Sequence, residues 1–221
     1  GSPIKLKAEF FLFLCEVLIG GAGGLTPVQR SIIDRCVSRI YGRFLQDKRA
    51  LPPTLNTLFE ELNAQPDDEA KAIATALELY ASGSFSGFSQ QTNVDTSNRV
   101  IVYDIARLGS DMKTFGMLVV LEQIWAQVQA NRSLGKRTWL YIDEFHLLFS
   151  NEYAGAYCQM IWKRARKYGL MPTGLTQNIE ELLISERARL MLANSDSLVL
   201  LNQTATDAST LQSLFHWSDK H

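Results

Sequence analysis

The sequence predicts an α/β protein in two parts, an all-α half followed by a parallel sheet with helices on both faces. Three observations carry that expectation. From about residue 5 to residue 82 every pattern is helical. Residues 83–98 are rich in Gly, Ser, Gln, Asn and Thr and read as a connecting loop. Beyond them, short runs rich in Val, Ile, Leu, Tyr and Thr alternate with amphipathic segments long enough to be crossover helices. Composition agrees: 221 residues at 46% hydrophobic and 20% charged suffice for one sizeable domain or two small ones with a core that needs no disulfides. Disorder, collagen and coiled coil are excluded. Twenty-two Lys+Arg against 23 Asp+Glu leave a net charge of −1, so no global field points to nucleic acid or to a cationic partner.

In the first half, AEFFLFLCEVLI is apolar nearly all round and is expected to be a buried helix. The apolar stretch Phe10 to Gly24 holds Glu16 and breaks into glycines, so it is too short and interrupted to span a bilayer core of about 30 Å. GGAGG then reads as a flexible helix connection. Thr26-Pro27-Val28-Gln29 has an N-cap Thr, a Pro at the first helical position and a Gln three residues after the cap, a capping box. The helix behind it carries Ile32, Ile33, Cys36, Val37 and Ile40 at three-to-four spacing, with Arg30, Arg35, Arg39 and Arg43 on other faces. Those arginines read most simply as a solvated face, or as a face for a partner. Pro52-Pro53-Thr54 opens a helix to about Leu62, and Asp67-Asp68-Glu69 place negative charge at the start of another that runs to about Ala81. Phe85 and Phe88 are expected to pin the connecting loop to the core.

The second half is expected to hold strands at 99–105, 138–143, 170–176 and 196–202, with helices at about 111–131, 152–168 and 178–193. Chemistry in such sheets gathers at the carboxyl ends of the strands, which directs attention to Asp104, Asp143, Glu144, Thr176, Gln177 and Asn202. TWLYIDE puts four apolar residues, an Asp and a Glu at one strand tip, the arrangement of a Walker B motif with an added catalytic acid. An ionised Asp143 there would hold the water shell of Mg²⁺, and Glu144 would orient and deprotonate the attacking water. The alternative is that the pair caps the following helix. Gln177, at the next strand end, suits a neutral sensor of the γ-phosphate, or else is a loop amide or helix cap. Lys163, Arg164, Arg166 and Lys167 cluster before Gly169, where cations complement a helix dipole. For Arg166 a second role is open, since a permanently charged guanidinium suits stabilisation of phosphate charge from a neighbouring subunit.

The run YIDEFHLLF, then KRARKYG, then GLTQNIEELL, then ANSDSLVLLNQ resembles the ATPases of conjugation and type IV secretion machines, the VirB-type family that includes the TraC and TraE proteins. Relatives such as FtsK and HerA share the plan. The resemblance covers about residues 95 to 215, and the helical half resembles that family's all-α insertion. It implies a RecA-like P-loop NTPase core with a parallel sheet, at residues 99–221, an inserted all-α subdomain at 3–82 and the loop at 83–98. It implies ATP and Mg as cofactors, with Asp143 as the Walker B aspartate, Glu144 as the catalytic glutamate, Gln177 as the γ-phosphate sensor and Arg166 as a trans-acting arginine. It further implies a homo-hexameric motor at the cytoplasmic face of the inner membrane, working with other type IV secretion components on pilus assembly or on DNA or protein transfer. A DNA translocase of the FtsK or HerA kind and a non-catalytic assembly module are the alternatives.

The departure from the family pattern is the phosphate loop. No GxxxxGK[ST] occurs, and the Gly20–Gly24 run lacks the lysine that should reach the phosphates. In the family that loop precedes the all-α insertion. Gly1-Ser2, with no initiator Met, reads as the scar of a cut tag, so an excised piece lacking the P-loop strand and inactive alone is expected. His146, His216 and His221 are too scattered for a zinc site. Asp104 is expected to cap the turn before Leu108-Gly109. Trp125, Trp139, Trp162 and Trp217 are expected to pack or to contact subunits. Cys15, Cys36 and Cys158 read as reduced core thiols of a cytosolic protein.

Overall fold

The computed structural model describes residues 3–47, 49–93, 95–177, 179–202 and 205–215. His216, Trp217 and His221 lie outside them. The chain forms two compact units, Gly1–Glu122 and Gln123–His221. Their boundary follows packing density, whereas the change in sequence texture lies at 83–98.

In the first unit, α1 (Pro3–Ile19), α2 (Pro27–Gln46), α3 (Leu55–Asn63) and α4 (Asp68–Ala81) follow one another as the periodicity predicts. The Thr26 capping box is formed: Gln29 N–H donates to Thr26 Oγ1 at 3.2 Å and Thr26 N–H to Gln29 Oε1 at 3.0 Å. Thr54 and Thr57 make the corresponding pair for α3. α1 packs on α2 and α4, and α2 packs on α3. Their core includes Leu14, Cys15, Ile33, Val37, Leu58 and Leu77, all buried. Phe85 stacks on Tyr80 at 6.0 Å and Phe88 meets Phe115 edge-on at 5.0 Å, so the loop is pinned as expected.

Two local features differ from the pattern-based expectation. The α2 arginines are not a bare solvated face, because α3 and the turn after it present acceptors to them. Arg35 pairs with Asp67 at 2.6 Å, Arg39 donates to Gln65 Oε1 at 2.9 Å, and Arg43 pairs with Glu61. The GGAGG connection, for its part, is held by a carboxylate. Glu16, 3% exposed, accepts the Leu25 N–H at 2.8 Å and is paired with Arg30, whose Nε donates to Leu25 O at 3.3 Å. A Cβ at position 20 would come within 2.6 Å of Glu16 O, so the chain turns there only with Gly.

α5 (Ser110–Ser133) leads to the sheet of the second unit. β1 (Thr138–Ile142) pairs in parallel with β2 (Leu170–Gly174), Thr138 opposite Leu170 and Ile142 opposite Gly174. α6 (Glu152–Tyr168) is the crossover between them. Asn151 Oδ1 caps its start, and Gly169 in the left-handed region, φ 67°, ends it. Pro172 is tolerated in β2 as an edge-strand residue.

Among the described residues the sheet has these two strands alone. Segments 99–105 and 196–202, expected as strands, are irregular. Val100, Val102, Val199 and Leu201 are each 80% exposed or more. A strand exists only with a hydrogen-bonding neighbour, and β propensity without one forms no ladder. Asp104 instead accepts the Ala106 N–H at 2.9 Å and caps the turn before Leu108. Trp139 and Tyr141 are exposed, so one sheet face is uncovered, where cover on both was expected. The helix expected at 178–193 is broken into α7 (Ile179–Ile184) and α8 (Glu186–Ala193) by Ser185, which caps α8. α9 spans Ala205–Phe215.

All three cysteines are free and buried. Burial, with a smaller contribution from Glu16, pushes the Cys15 thiol up to about 12, and burial pushes Cys158 up to about 12. Cys36 is also raised, by burial first. Among the described residues no helix is long and apolar enough to cross a membrane.

Arg30→Ala, which strips the buried Glu16 of its counter-charge, is expected to lower the unfolding free energy by about 3 kcal/mol. Glu16→Gln, which keeps an acceptor for Leu25 N–H, costs about 1 kcal/mol. Urea denaturation measures both. Equal losses would mean that the ion pair does not anchor the turn.

Candidate functional site

The residues past the ends of β1 and β2 form the site. Two backbone bonds carry the strand pairing beyond the sheet, Leu175 N–H to Ile142 O and Phe145 N–H to Leu175 O, both 2.8 Å. To make the second, the chain must reverse over Glu144, which takes the left-handed conformation φ 49°, ψ 45°. It is the one non-glycine residue with positive φ among those described. Such a conformation costs about 1–2 kcal/mol for an L-residue with a side chain. Burial of the next side chain offsets it. The Phe145 ring is buried against Phe149 and Trp162, each 5.1 Å away, and burying a Phe contributes about 1.5–3 kcal/mol. The ring lies across Gly174, where a Cβ would approach it to 2.7 Å.

This turn answers one question left by the sequence. Glu144 stands at the N-cap position of the short 3-10 helix Phe145–Ser150, yet its side chain makes no capping bond. It faces the neighbouring strand end instead. Gln177 Nε2 donates to Glu144 Oε1 at 3.1 Å. His146 Nδ1 lies 3.4 Å from Glu144 Oε2 and 3.0 Å from Thr176 Oγ1, and His146 Nε2 lies 3.5 Å from Glu181 Oε2 on α7. Asp143 is exposed, and its Oδ1 accepts the Glu144 N–H at 2.9 Å.

Asp143, Glu144 and Gln177 are thus brought together, along with Thr176. Arg166 is not among them. α6 returns the chain to the start of β2, so Arg166 stands near the other end of the strands, about 17 Å away by the rise of five residues. It is 90% exposed, 3.4 Å from an equally exposed Asp196. Sequence reasoning set His146 aside as a scattered histidine and did not single out Glu181. The position of His146 three residues after Asp143, on the same tip, was the available signal.

The donor set bears on which ion it suits. Among the described residues no group of three or more His, Cys, Asp or Glu is placed to hold a metal. One exposed aspartate with a glutamate beside it makes no cage for a bare cation. It fits Mg²⁺ that keeps most of its waters and arrives on phosphate oxygens. The Gly20–Gly24 turn makes no phosphate cradle, because its Leu25 N–H is already taken by the anionic Glu16.

No family model and no curated protein matches the sequence. A solved structure does: VirB4 of Thermoanaerobacter pseudethanolicus superposes with a TM-score of 0.81 over 99% of this chain, at 22% identity. The chain spans 62% of that chain. It therefore has the fold of that protein over the matched length, in line with the resemblance carried by the four sequence segments.

Glu144→Gly, which removes the side chain from a left-handed position, is expected to raise stability by about 1 kcal/mol and the melting temperature by about 2–4 °C. A fall on thermal unfolding would mean that the bond to Gln177 and the contact with His146 outweigh the backbone strain.

Proposed function

We propose that the chain is the ATPase region of a VirB-type type IV secretion motor with a RecA-like P-loop core. The observation that supports this best is Glu144, held in a strained turn at the tip of β1 and bonded to Gln177 from the adjacent strand end. Backbone strain of this kind clusters at functional sites. A divided pair of strand tips with a carboxylate on one and an amide on the other suits water activation beside a γ-phosphate. The fold shared with VirB4 supports the secretion-motor reading.

In this reading Asp143 would hold Mg²⁺ through its waters, Glu144 would receive the proton of the attacking water, and Gln177 would orient that water or sense the γ-phosphate. Bound Mg-ATP supplies the phosphoanhydride and the charge that these groups act upon. These 221 residues contain no phosphate-loop motif, so this reading needs a phosphate loop from outside them. Arg166, exposed and far from Glu144 of its own chain, would in this reading serve the site of a neighbouring subunit in a homo-hexamer. Pilus assembly or substrate transfer at the inner membrane is the work the motor would drive.

In the parent protein Glu144→Gln is expected to lower ATP turnover by about 100-fold or more while Mg-ATP binding persists. Unchanged turnover would overturn the assignment. Mixing Arg166→Ala with Glu144→Gln subunits is expected to restore part of the ATPase activity. No restoration would mean that Arg166 does not act across the interface.

A further inference from the structure

The Glu144 carboxylate has a neighbour at each oxygen. Gln177 engages Oε1 at 3.1 Å, and the His146 imidazole edge faces Oε2 at 3.4 Å. The ring is 11% exposed and lies between two carboxylates, with Nδ1 toward Glu144 and Thr176 and Nε2 toward Glu181. We propose that His146 is a positioning residue that fixes the rotamer of Glu144 and ties it to α7 through Glu181. The proposal rests on the reading of Glu144 as the catalytic glutamate.

The physical case starts from the turn. A glutamate in a left-handed conformation on an exposed tip has three rotatable side-chain bonds and only a neutral amide on one oxygen. Gln177 by itself comes from an exposed loop and is a weak restraint. The imidazole is different, because its ring is nearly buried and it is carried on a 3-10 helix whose Phe145 and Leu148 are buried. A neighbour on a fixed ring restrains a carboxylate more than a flexible amide does, and a displacement of about 1 Å at a reacting group can cost 100-fold in rate.

The link to α7 follows from where that helix is held. α7 packs on α8 and on the 3-10 helix that carries His146. Ser185 breaks the hydrogen-bond ladder between α7 and α8, so α7 is a separate six-residue piece. Behind it lies a cleft of about 800 Å³ bordered by His146, Gln159, Lys163, Glu181 and Arg187.

Two experiments test this, one of which needs no turnover. In this chain, with histidine labelled with nitrogen-15, the ring nitrogens are read by long-range correlation spectra. Glu144→Gln is expected to move the His146 Nδ1 resonance and Glu181→Gln the Nε2 resonance, each leaving the other nitrogen less affected. Unmoved resonances in both variants would overturn the proposal, whatever the fate of the ATPase reading. In the parent protein, His146→Asn places an amide nitrogen close to Nδ1 and is expected to keep kcat within about threefold, whereas His146→Ala and His146→Gln lower kcat by about 10–100-fold with KM for ATP little changed. Equal losses for Asn and Ala, or a loss confined to KM, would overturn the positioning role. If Glu144→Gln leaves turnover unchanged while the resonances move as expected, the ATPase reading fails and the imidazole contact stands.

Discussion

Everything at the candidate site depends on the parallel register of β1 and β2. Ile142 opposite Gly174 sets the two strand ends level, so the next residues of both strands project from the same edge. Parallel pairing needs a crossover, and α6 supplies one of fitted length between the Asn151 cap and the Gly169 reversal. A slip of one residue would turn Leu140, the buried residue of β1, out of the core. It would also separate Glu144 from Gln177. The site is therefore a product of backbone pairing before it is a product of side-chain chemistry.

Within that frame, the energetics are those of a local compromise. A left-handed Glu144 is unfavourable by itself, and Phe145 burial over Gly174 is favourable by a comparable or larger amount. The two are adjacent in sequence, so neither can be had without the other. The arrangement places a carboxylate where regular geometry would not. Violations of local preference of this kind concentrate at positions selected for chemistry rather than for stability.

Much of this was legible in the sequence because it is local. The caps at Thr26 and Thr54, the α2 periodicity and the acidic pair at the tip of β1 are each encoded within a few residues. Ser185 followed by Glu186 was a readable helix start, hidden by the apolar periodicity on either side. What could not be read is non-local. Runs 99–105 and 196–202 have strand composition, but composition does not supply the neighbour that a ladder requires. The pairing of Arg35 with Asp67 and Arg43 with Glu61 joins segments far apart in the chain. His146 meets Thr176 and Glu181 only because β2 returns alongside β1.

The cysteines have a practical consequence. The thiolate is the reactive form, and burial disfavours it at all three positions. Alkylating reagents will thus reach them only when the surrounding structure opens. Cys15 and Cys36 belong to the first unit and Cys158 to the second. Each unit carries its own native clock for local opening, readable by mass spectrometry peptide by peptide. Fluorophores can meanwhile be attached at added surface cysteines without first removing the natural ones.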